Sequence, residues 1–160
     1  MMRKIAMFLL MAVTLCGCTG ETFETVDDES LQSVMQPQRQ VNVATEDGAV
    51  LIDGIDGRLY LCDGYDISLQ VFPSGDLGKT IKSLTGFDRE DLTVVETKEQ
   101  GMDRYTCVWA SAGLYGDTAG RLVIFDDGIY HYTIAIMAAA EDAAALQPCW
   151  NQILESVTFS

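Results

Sequence analysis

The chain has 160 residues, 48% of them hydrophobic, and a formal net charge of −14 at pH 7. Because nucleic-acid binding requires clustered basic side chains, and only ten Lys and Arg stand against 24 Asp and Glu, we predict no nucleic-acid partner. The hydrophobic content suffices for the core of one ordinary domain, but the charge would repel that domain from an anionic lipid surface.

The N-terminus has the pattern of a secretory signal. Basic residues at positions 3 and 4 precede an apolar run that is too short to cross a bilayer, which needs about 20 apolar residues. The run ends in Leu-Cys-Gly-Cys at residues 15–18, which resembles the lipobox of bacterial lipoproteins. This resemblance implies that the Cys18 thiol receives a diacylglycerol and that cleavage makes Cys18 the mature N-terminus. The alternative is a plain secreted protein whose signal ends near two cysteines by chance.

Three segments follow from this pattern. We predict a lipoprotein signal peptide over residues 1–17 and a lipid anchor with a disordered tether over residues 18–40, which are polar, acidic and without helical or strand periodicity. Residues 41–160 form a single globular domain. Since two acyl chains hold a protein stably, the predicted location is the extracytoplasmic face of a bacterial membrane, reached through the lipid on Cys18.

The first half of the domain reads as a meander followed by a helix. Asp-Gly pairs are turn signals, because Gly accepts a positive φ and Asp bonds its own backbone. The apolar runs between them predict strands at residues 49–52, 58–62 and 67–72. Leu77, Ile81 and Leu84 then share one helical face, which predicts a short helix over about residues 75–86.

The second half alternates again and closes with a helix. Strands are predicted at residues 92–98, 103–112, 121–125 and 129–137, with a flexible loop at residues 113–120. Residues 103–112 have no strongly polar face, so we expect a central strand covered on both sides. The last helix, about residues 141–157, carries a complete apolar stripe in which Trp150 is the largest side chain.

The order of these elements is similar to the PsbP-like sandwich. Residues 67–72, the Asp-Gly-Ile-Tyr-His-Tyr hairpin at residues 127–132 and the ending at residues 150–159 carry the resemblance. It implies an α+β fold, an antiparallel sheet with both helices packed on it and a short final strand. Members of that fold are mostly non-catalytic accessory or binding proteins.

Catalytic residue types are scarce. The single histidine, His131, would need a nucleophile beside it, and Ser111 or Cys107 could serve only if their strand were adjacent. No Gly-x-Ser-x-Gly or Cys-x-x-Cys motif is present. We interpret His131 as a strand histidine with a solvated polar edge, and we predict no enzymatic activity and no cofactor. Hydrolase activity is a distant third hypothesis, behind binding of an envelope component and capture of a small solute or cation.

Four aspartates are the candidate metal ligands. Asp53, Asp56, Asp63 and Asp66 crowd two glycine-containing turns, and calcium prefers several carboxylate and carbonyl oxygens on sharply turning backbone. Their spacing does not match an EF-hand loop, and Asp-Gly pairs in a strand-rich chain are usually turns only.

Three tyrosines are the candidate ligand-binding residues. Tyr115 lies in the predicted loop, and Tyr130 and Tyr132 lie on the hairpin strand. Aromatic rings with a polar tip are common at recognition surfaces, although β-propensity alone also places them in sheets.

Three cysteines remain for the domain once Cys18 is lipidated, namely Cys62, Cys107 and Cys149. We favour buried apolar roles for most or all of them; if two pair, the connectivity is open. The sequence thus predicts a non-catalytic, lipid-anchored domain that binds another cell-envelope component, possible partners including an envelope protein. The alternative is capture of a small solute or a cation such as calcium at the cell surface.

Overall fold

The computed structural model describes residues 37–55, 57–114 and 116–160. Cys18, the signal peptide and most of the predicted tether lie outside these residues, as do Asp56 and Tyr115. Within the described ranges no helix has the length and apolar character needed to cross a membrane.

The described residues form nine strands and two α-helices. The strands are β1 (Val41–Asn42), β2 (Val50–Asp53), β3 (Gly57–Leu61), β4 (Tyr65–Pro73), β5 (Val95–Glu99), β6 (Met102–Ser111), β7 (Thr118–Asp126), β8 (Tyr130–Ala139) and β9 (Thr158–Phe159). The helices are α1 (Leu77–Thr85) and α2 (Ala143–Glu155). Seven strands pair antiparallel in the order β2-β3-β4-β8-β7-β6-β5, and β1 pairs with β9 in a separate two-stranded sheet. The predicted α+β fold with an antiparallel sheet is confirmed.

The Asp-Asp-Gly turn at residues 126–128 joins β7 and β8 as predicted. The Asp126 carboxylate accepts a hydrogen bond from the Gly128 backbone N–H at 2.8 Å, and Gly128 has φ +89°. The Asp127 carboxylate accepts from the backbone N–H groups of Ile129 and Tyr130 at 2.9 and 2.8 Å. These side-chain bonds fix the turn and therefore the register of the two central strands.

Helix α1 has the caps that its sequence predicts. The Asp76 carboxylate accepts from the Lys79 backbone N–H at 3.3 Å, and Gly86 closes the helix at φ +81° with its N–H bonded to the Lys82 carbonyl. Ile81 is fully buried on one face of the sheet, where it packs with side chains from β6, β7 and β8.

Helix α2 covers the opposite face. Trp150, Ile153 and Leu154 are buried there among apolar residues of β4, β7 and β8, so the expected burial of Trp150 is confirmed. Pro148 lies in the second turn of the helix without ending it. The sheet is thus a central layer with one helix on each side.

Neither helix reaches the outer strands. Seven strands about 4.8 Å apart span about 29 Å, whereas a helix with its side chains is about 10–12 Å wide. The prediction that residues 103–112 are covered on both faces is therefore wrong: Tyr105, Cys107 and Trp109 pack beneath α1, but Val108 on the other face is exposed.

Two boundaries differ from the sequence predictions. The strand predicted from residue 92 begins only at Val95, because a 3-10 turn occupies Arg89–Asp91. The predicted loop is shorter, since β7 begins at Thr118, whose hydroxyl lies 2.7 Å from that of Ser111.

The folded part also begins before residue 41. The Arg39 backbone N–H donates to the Tyr132 hydroxyl at 3.3 Å, and Gln40 exchanges two backbone hydrogen bonds with Ser160, at 2.7 and 3.0 Å. These bonds extend the β1–β9 pair and bring the start of the described chain to its C-terminus.

Candidate interaction surface

His131 is buried beneath α1 rather than solvated at its edge. Only 1% of its surface is exposed, and its Nδ1 lies 2.9 Å from the Thr80 hydroxyl. Its Nε2 faces the Asp126 carboxylate at 3.4 Å, an approach without hydrogen-bond geometry. Asp126 in turn accepts from the Ser74 hydroxyl at 3.0 Å. The solvated-edge prediction is wrong because α1 lies directly above this end of β8.

These groups are of the types found in a hydrolytic triad, but their burial argues for a structural role. Thr80 is itself buried, so a substrate could reach its hydroxyl only if α1 moved away. Polar groups that are buried must be paired, and the Thr80–His131 contact pairs two of them while linking α1 to the sheet.

The nucleophiles considered from the sequence lie far from His131. Ser111 is aligned with Thr118, and Thr118 with Ala139, which is eight residues along β8 from His131, or about 27 Å. Cys107 is aligned through β7 with Ala135, about 13 Å from His131 along the strand. Burial also raises the pKa of the Cys107 thiol, which disfavours the nucleophilic thiolate.

Of the three predicted tyrosines, the structure describes Tyr130 and Tyr132. Tyr132 is fully buried, and its hydroxyl donates to the Asp127 carboxylate at 3.0 Å while accepting from the Arg39 backbone. Tyr130 is half-buried beside it, with the ring centroids 6.1 Å apart. Tyr115 lies outside the described residues, and the next strand, β7, begins at the opposite end of β8. Ligand binding by Tyr115, Tyr130 or Tyr132 stays a prediction.

Asp127 organises the tyrosine end of the hairpin. Burial raises the pKa of its carboxyl group, but the backbone N–H groups of Tyr130 and Ile129 and the Tyr132 hydroxyl outweigh burial, and the pKa is lowered. Burial likewise raises the pKa of the Tyr132 phenol. The arrangement is that of a rigid turn.

The described aspartates of the calcium prediction, Asp53, Asp63 and Asp66, are divided between the two ends of β3. Asp53 is aligned with Arg58 and Asp66 with Leu61, three residues apart along β3, which also places their side chains on opposite faces of the sheet. Calcium requires oxygens within about 2.3–2.6 Å of one point, and no cluster of three potential ligands exists among the described residues. Asp53 and Asp66 cannot contact the same ion; binding by a smaller subset stays a prediction.

The three described cysteines are not joined by a disulfide. The Cys149 thiol donates to the Tyr65 hydroxyl at 3.3 Å, and burial raises the pKa of the Cys62 thiol although a bond to Tyr65 opposes it. Burial and the bond to Cys149 raise the pKa of Tyr65 itself. The Cys62 thiol and the Tyr65 phenol are therefore neutral at neutral pH.

The exposed apolar residues of the β2–β3 hairpin form a surface that the sequence analysis did not single out. Val50 is 58% exposed and Ile52 49%, and Ile55 in the turn is fully exposed. Val50 is aligned with Leu61, and Ile52 with Leu59, so the four share one face of the sheet. We call Val50, Ile52, Ile55, Leu59 and Leu61 the hairpin surface. It lies on the α1 side, beyond the strands that α1 covers.

The sequence held one signal for this surface. Three large apolar residues in a row at positions 50–52 form the strand next to an Asp-Gly turn, and no Lys, Arg or Pro interrupts them. Natural edge strands usually carry charged residues or Pro, which discourage pairing with another chain. Recognising the signal required knowing that β2 is an edge strand, and strand order is not a local property.

The chain segment that forms the hairpin surface is acidic. Residues 41–73 contain six acidic residues and one basic residue, Arg58. Arg58 is occupied, since its guanidinium donates to the Val41 carbonyl and to the Asn42 side chain. No basic nitrogen of the described residues lies within 4 Å of the carboxylates here, which belong to Glu46, Asp47, Asp53, Asp63 and Asp66.

A cleft of about 480 Å³ lies at the tip of the hairpin. Residues 38–41 line one side of it, and residues 53–55 with Arg58 and part of β4 line the other. The start of the described chain therefore runs beside the β2–β3 turn, and the hairpin surface and this tip cleft share one end of the molecule.

The fold is the PsbP-like α+β sandwich. It is similar to the solution structure of a cyanobacterial PsbP, CyanoP of Synechocystis sp. PCC 6803, with a TM-score of 0.52 and 9% identity over 79% of this chain and 95% of that chain. It is also similar to LpqN of Mycobacterium tuberculosis, a protein involved in cell envelope biogenesis, with a TM-score of 0.53 and 12% identity over 77% of this chain and 84% of that chain. No family model and no curated protein matches the sequence.

Proposed function

We propose that this protein is a non-catalytic domain, held by a lipid on Cys18 at the extracytoplasmic face of a bacterial membrane, that binds another envelope protein through the hairpin surface. One observation carries the proposal: Val50, Ile52 and Leu61 are exposed on one face of the sheet, and the fully exposed Ile55 lies in the adjoining turn. Contiguous exposed apolar surface in a folded domain commonly marks a protein-binding site.

The location of this surface supports the proposal. The start of the described chain lies beside the hairpin turn at the tip cleft, so the connection to the predicted anchor reaches the domain next to the proposed binding surface. The fold also occurs in LpqN, which is involved in cell envelope biogenesis in its own organism.

A non-catalytic role is supported by the state of the candidate catalytic groups. His131 is buried with Thr80, and it lies about 13 to 27 Å along the sheet from Cys107 and Ser111. A hydrolase would need a nucleophile and a base in contact at an accessible place.

Capture of a small solute is the second candidate function, and the tip cleft favours it. Its volume of about 480 Å³ falls within the range of small-molecule sites. Solute binding there should raise the melting temperature and be weakened by substitutions that line the cleft, such as Gln70→Ala, without dependence on Ile52.

Site-specific photo-crosslinking tests the main proposal. A photoreactive amino acid is placed at Ile55 in the full-length protein in its own membranes, and at Leu114 as a control that is equally exposed, at 99% against 103%, but lies in the loop between β6 and β7. We expect a defined protein adduct from position 55, none from position 114, and a reduced yield when Ile52→Ser is added. Equal adducts from both positions, or none from position 55, would refute the proposal.

The anchor is tested separately. Mass spectrometry of the mature N-terminal peptide should show a diacylglyceryl group on Cys18, and Cys18→Ser should move the protein out of the membrane fraction. An unmodified mature N-terminus elsewhere would leave the plain secreted protein as the correct description.

A further inference from the structure

Strand β2 is an edge strand of the sheet within the part of the chain that the structure describes. Gly54 N–H donates to the Gly57 carbonyl at 2.9 Å, which makes these two residues a hydrogen-bonded pair at the hairpin turn. Such pairs alternate along an antiparallel ladder. Val50 and Ile52 therefore direct their N–H and carbonyl groups toward β3, whereas Leu51 directs its own outward.

Asp53 shares this outward direction, so two residues of β2 present an N–H and a carbonyl that have no strand partner among the described residues. An extended chain laid along β2 could bond all four groups, which is the mode of recognition known as β-strand addition.

The opposite edge of the same sheet, strand β5, carries charged side chains that discourage pairing with a further strand. Strand β5 carries Glu96, Lys98 and Glu99, and a salt bridge of 3.0 Å joins Lys98 to Asp103 on β6. Charged side chains at an edge discourage a further strand. Strand β2 has no basic residue, and Leu51 is 48% exposed between two exposed apolar neighbours. One edge is protected and the other is open.

The net charge of the segment that contains β2 indicates which kind of chain would pair with this edge. Six acidic residues and one engaged arginine lie in residues 41–73, and residues 19–36 of the same chain contain five acidic residues and no Lys or Arg. A second copy of the chain or its own N-terminal segment would bring like charge to this edge, which costs free energy. A segment with basic side chains would be attracted.

We propose that β2 accepts an extended segment of a partner protein, alternating basic and apolar side chains, as an added edge strand. In such a strand the apolar side chains cover Val50 and Ile52, and the basic ones lie on the opposite face with Leu51 and Asp53. This inference rests on the proposed function and specifies how the hairpin surface is used.

A matched pair of substitutions at Leu51 separates main-chain pairing from side-chain contact. Leu51→Pro removes the outward N–H without breaking the β2–β3 ladder, since Pro is tolerated on edge strands where its nitrogen faces solvent. Leu51→Ala removes the side chain and keeps the N–H. Both variants should melt within a few degrees of the unsubstituted protein.

The probes are labelled peptides tested by fluorescence anisotropy against the full-length, lipidated protein in detergent micelles at physiological salt. The first is a decapeptide of alternating Lys and Val. The second is its acidic counterpart of alternating Glu and Val. The third keeps every Lys but replaces each second Val with Pro, so that it has equal charge but cannot join a sheet.

We expect the Lys-Val peptide to bind at least ten-fold more tightly than either of the others. Leu51→Pro should weaken this binding about ten-fold more than Leu51→Ala does, and hydrogen exchange should show protection of the Leu51 and Asp53 amides in the complex.

The other outcomes overturn the inference in distinguishable ways. Equal binding of the Lys-Pro peptide would show charge attraction alone, and no binding of the Lys-Val peptide up to 1 mM would exclude strand addition of this chemistry. A dimer that Leu51→Pro abolishes would assign the edge to a second copy of the chain. If the crosslinked partner from position 55 is retained by Leu51→Pro and lost in Ile52→Ser, the proposed function stands and strand addition fails.

Discussion

The substitution Gly120→Ala tests how tightly the layer beneath α1 is packed. Gly120 on β7 is aligned with Trp109 on β6, and a Cβ at position 120 would lie 2.4 Å from Cζ2 and 2.5 Å from Cη2 of the indole ring. Carbon atoms in contact are normally 3.5–4.0 Å apart. The ring would have to move by more than 1 Å, and it is held by Cys107 and Leu122 beneath the helix.

The magnitude follows from two opposing effects. Overpacking a closed core costs about 1–3 kcal/mol, whereas Gly→Ala at an unstrained position stabilises by about 0.4–1 kcal/mol through the unfolded chain. We expect Gly120→Ala to lower the free energy of unfolding by about 1–2 kcal/mol, or the melting temperature by about 3–8 °C in a domain of this size. In a Trp109→Ala background the clash is absent, and the same change should be neutral or stabilising.

The assay is a double-mutant cycle measured by urea unfolding. Trp150 reports unfolding by fluorescence in every variant, because it is buried in the other core. Gly75→Ala serves as the control, since no atom lies within 4 Å of a Cβ placed there. The reasoning is refuted if Gly120→Ala is as stable as the parent, or if its cost is the same with and without the Trp109 ring.

Three further predictions concern stability. Thr80→Val should lower the free energy of unfolding by about 1–3 kcal/mol in urea melts, because it leaves the buried His131 Nδ1 without its partner; a loss below about 0.5 kcal/mol would contradict the proposed link. The lowered pKa of Asp127 contributes stability that is present above its unfolded-state pKa of about 3.9 and is lost as the pH falls through the folded value, so Asp127→Asn should flatten the acid limb of a stability profile below about pH 4. Trp150→Ala should cost about 3–5 kcal/mol by the same measurement, and a value under about 1 kcal/mol would mean that α2 is not held by this side chain.

Features determined by neighbouring residues could be predicted from the sequence. The Asp-Asp-Gly turn between β7 and β8 and the capped helix α1 depend on side chains that bond backbone within three residues, so their signals are local. The apolar stripe of α2, with Trp150 at its centre, follows from helical period alone.

Features determined by lateral position in the sheet could not be predicted. The alternation of side chains along its strand predicts a solvated edge for His131. The burial of His131 depends instead on α1, which crosses above it. Val50 is exposed because β2 lies beyond the strands that α1 covers, and Val108 is exposed because it lies on the face of β6 opposite α1. Strand order and helix placement arise from the whole chain, and the hairpin surface depends on both.

The proposed lipid anchor and the open edge of β2 are physically complementary. Two outward-facing residues, Leu51 and Asp53, offer about four hydrogen-bonding groups, and each bond contributes only about 0.5–1.5 kcal/mol net. Association in solution costs about 4 kcal/mol or more in lost freedom, so strand addition over so short an edge would be weak between freely diffusing proteins. Holding both partners at one membrane removes much of that cost by raising their effective concentration. We therefore expect Cys18→Ser to reduce capture of the partner crosslinked through Ile55 even though it leaves the hairpin surface unchanged.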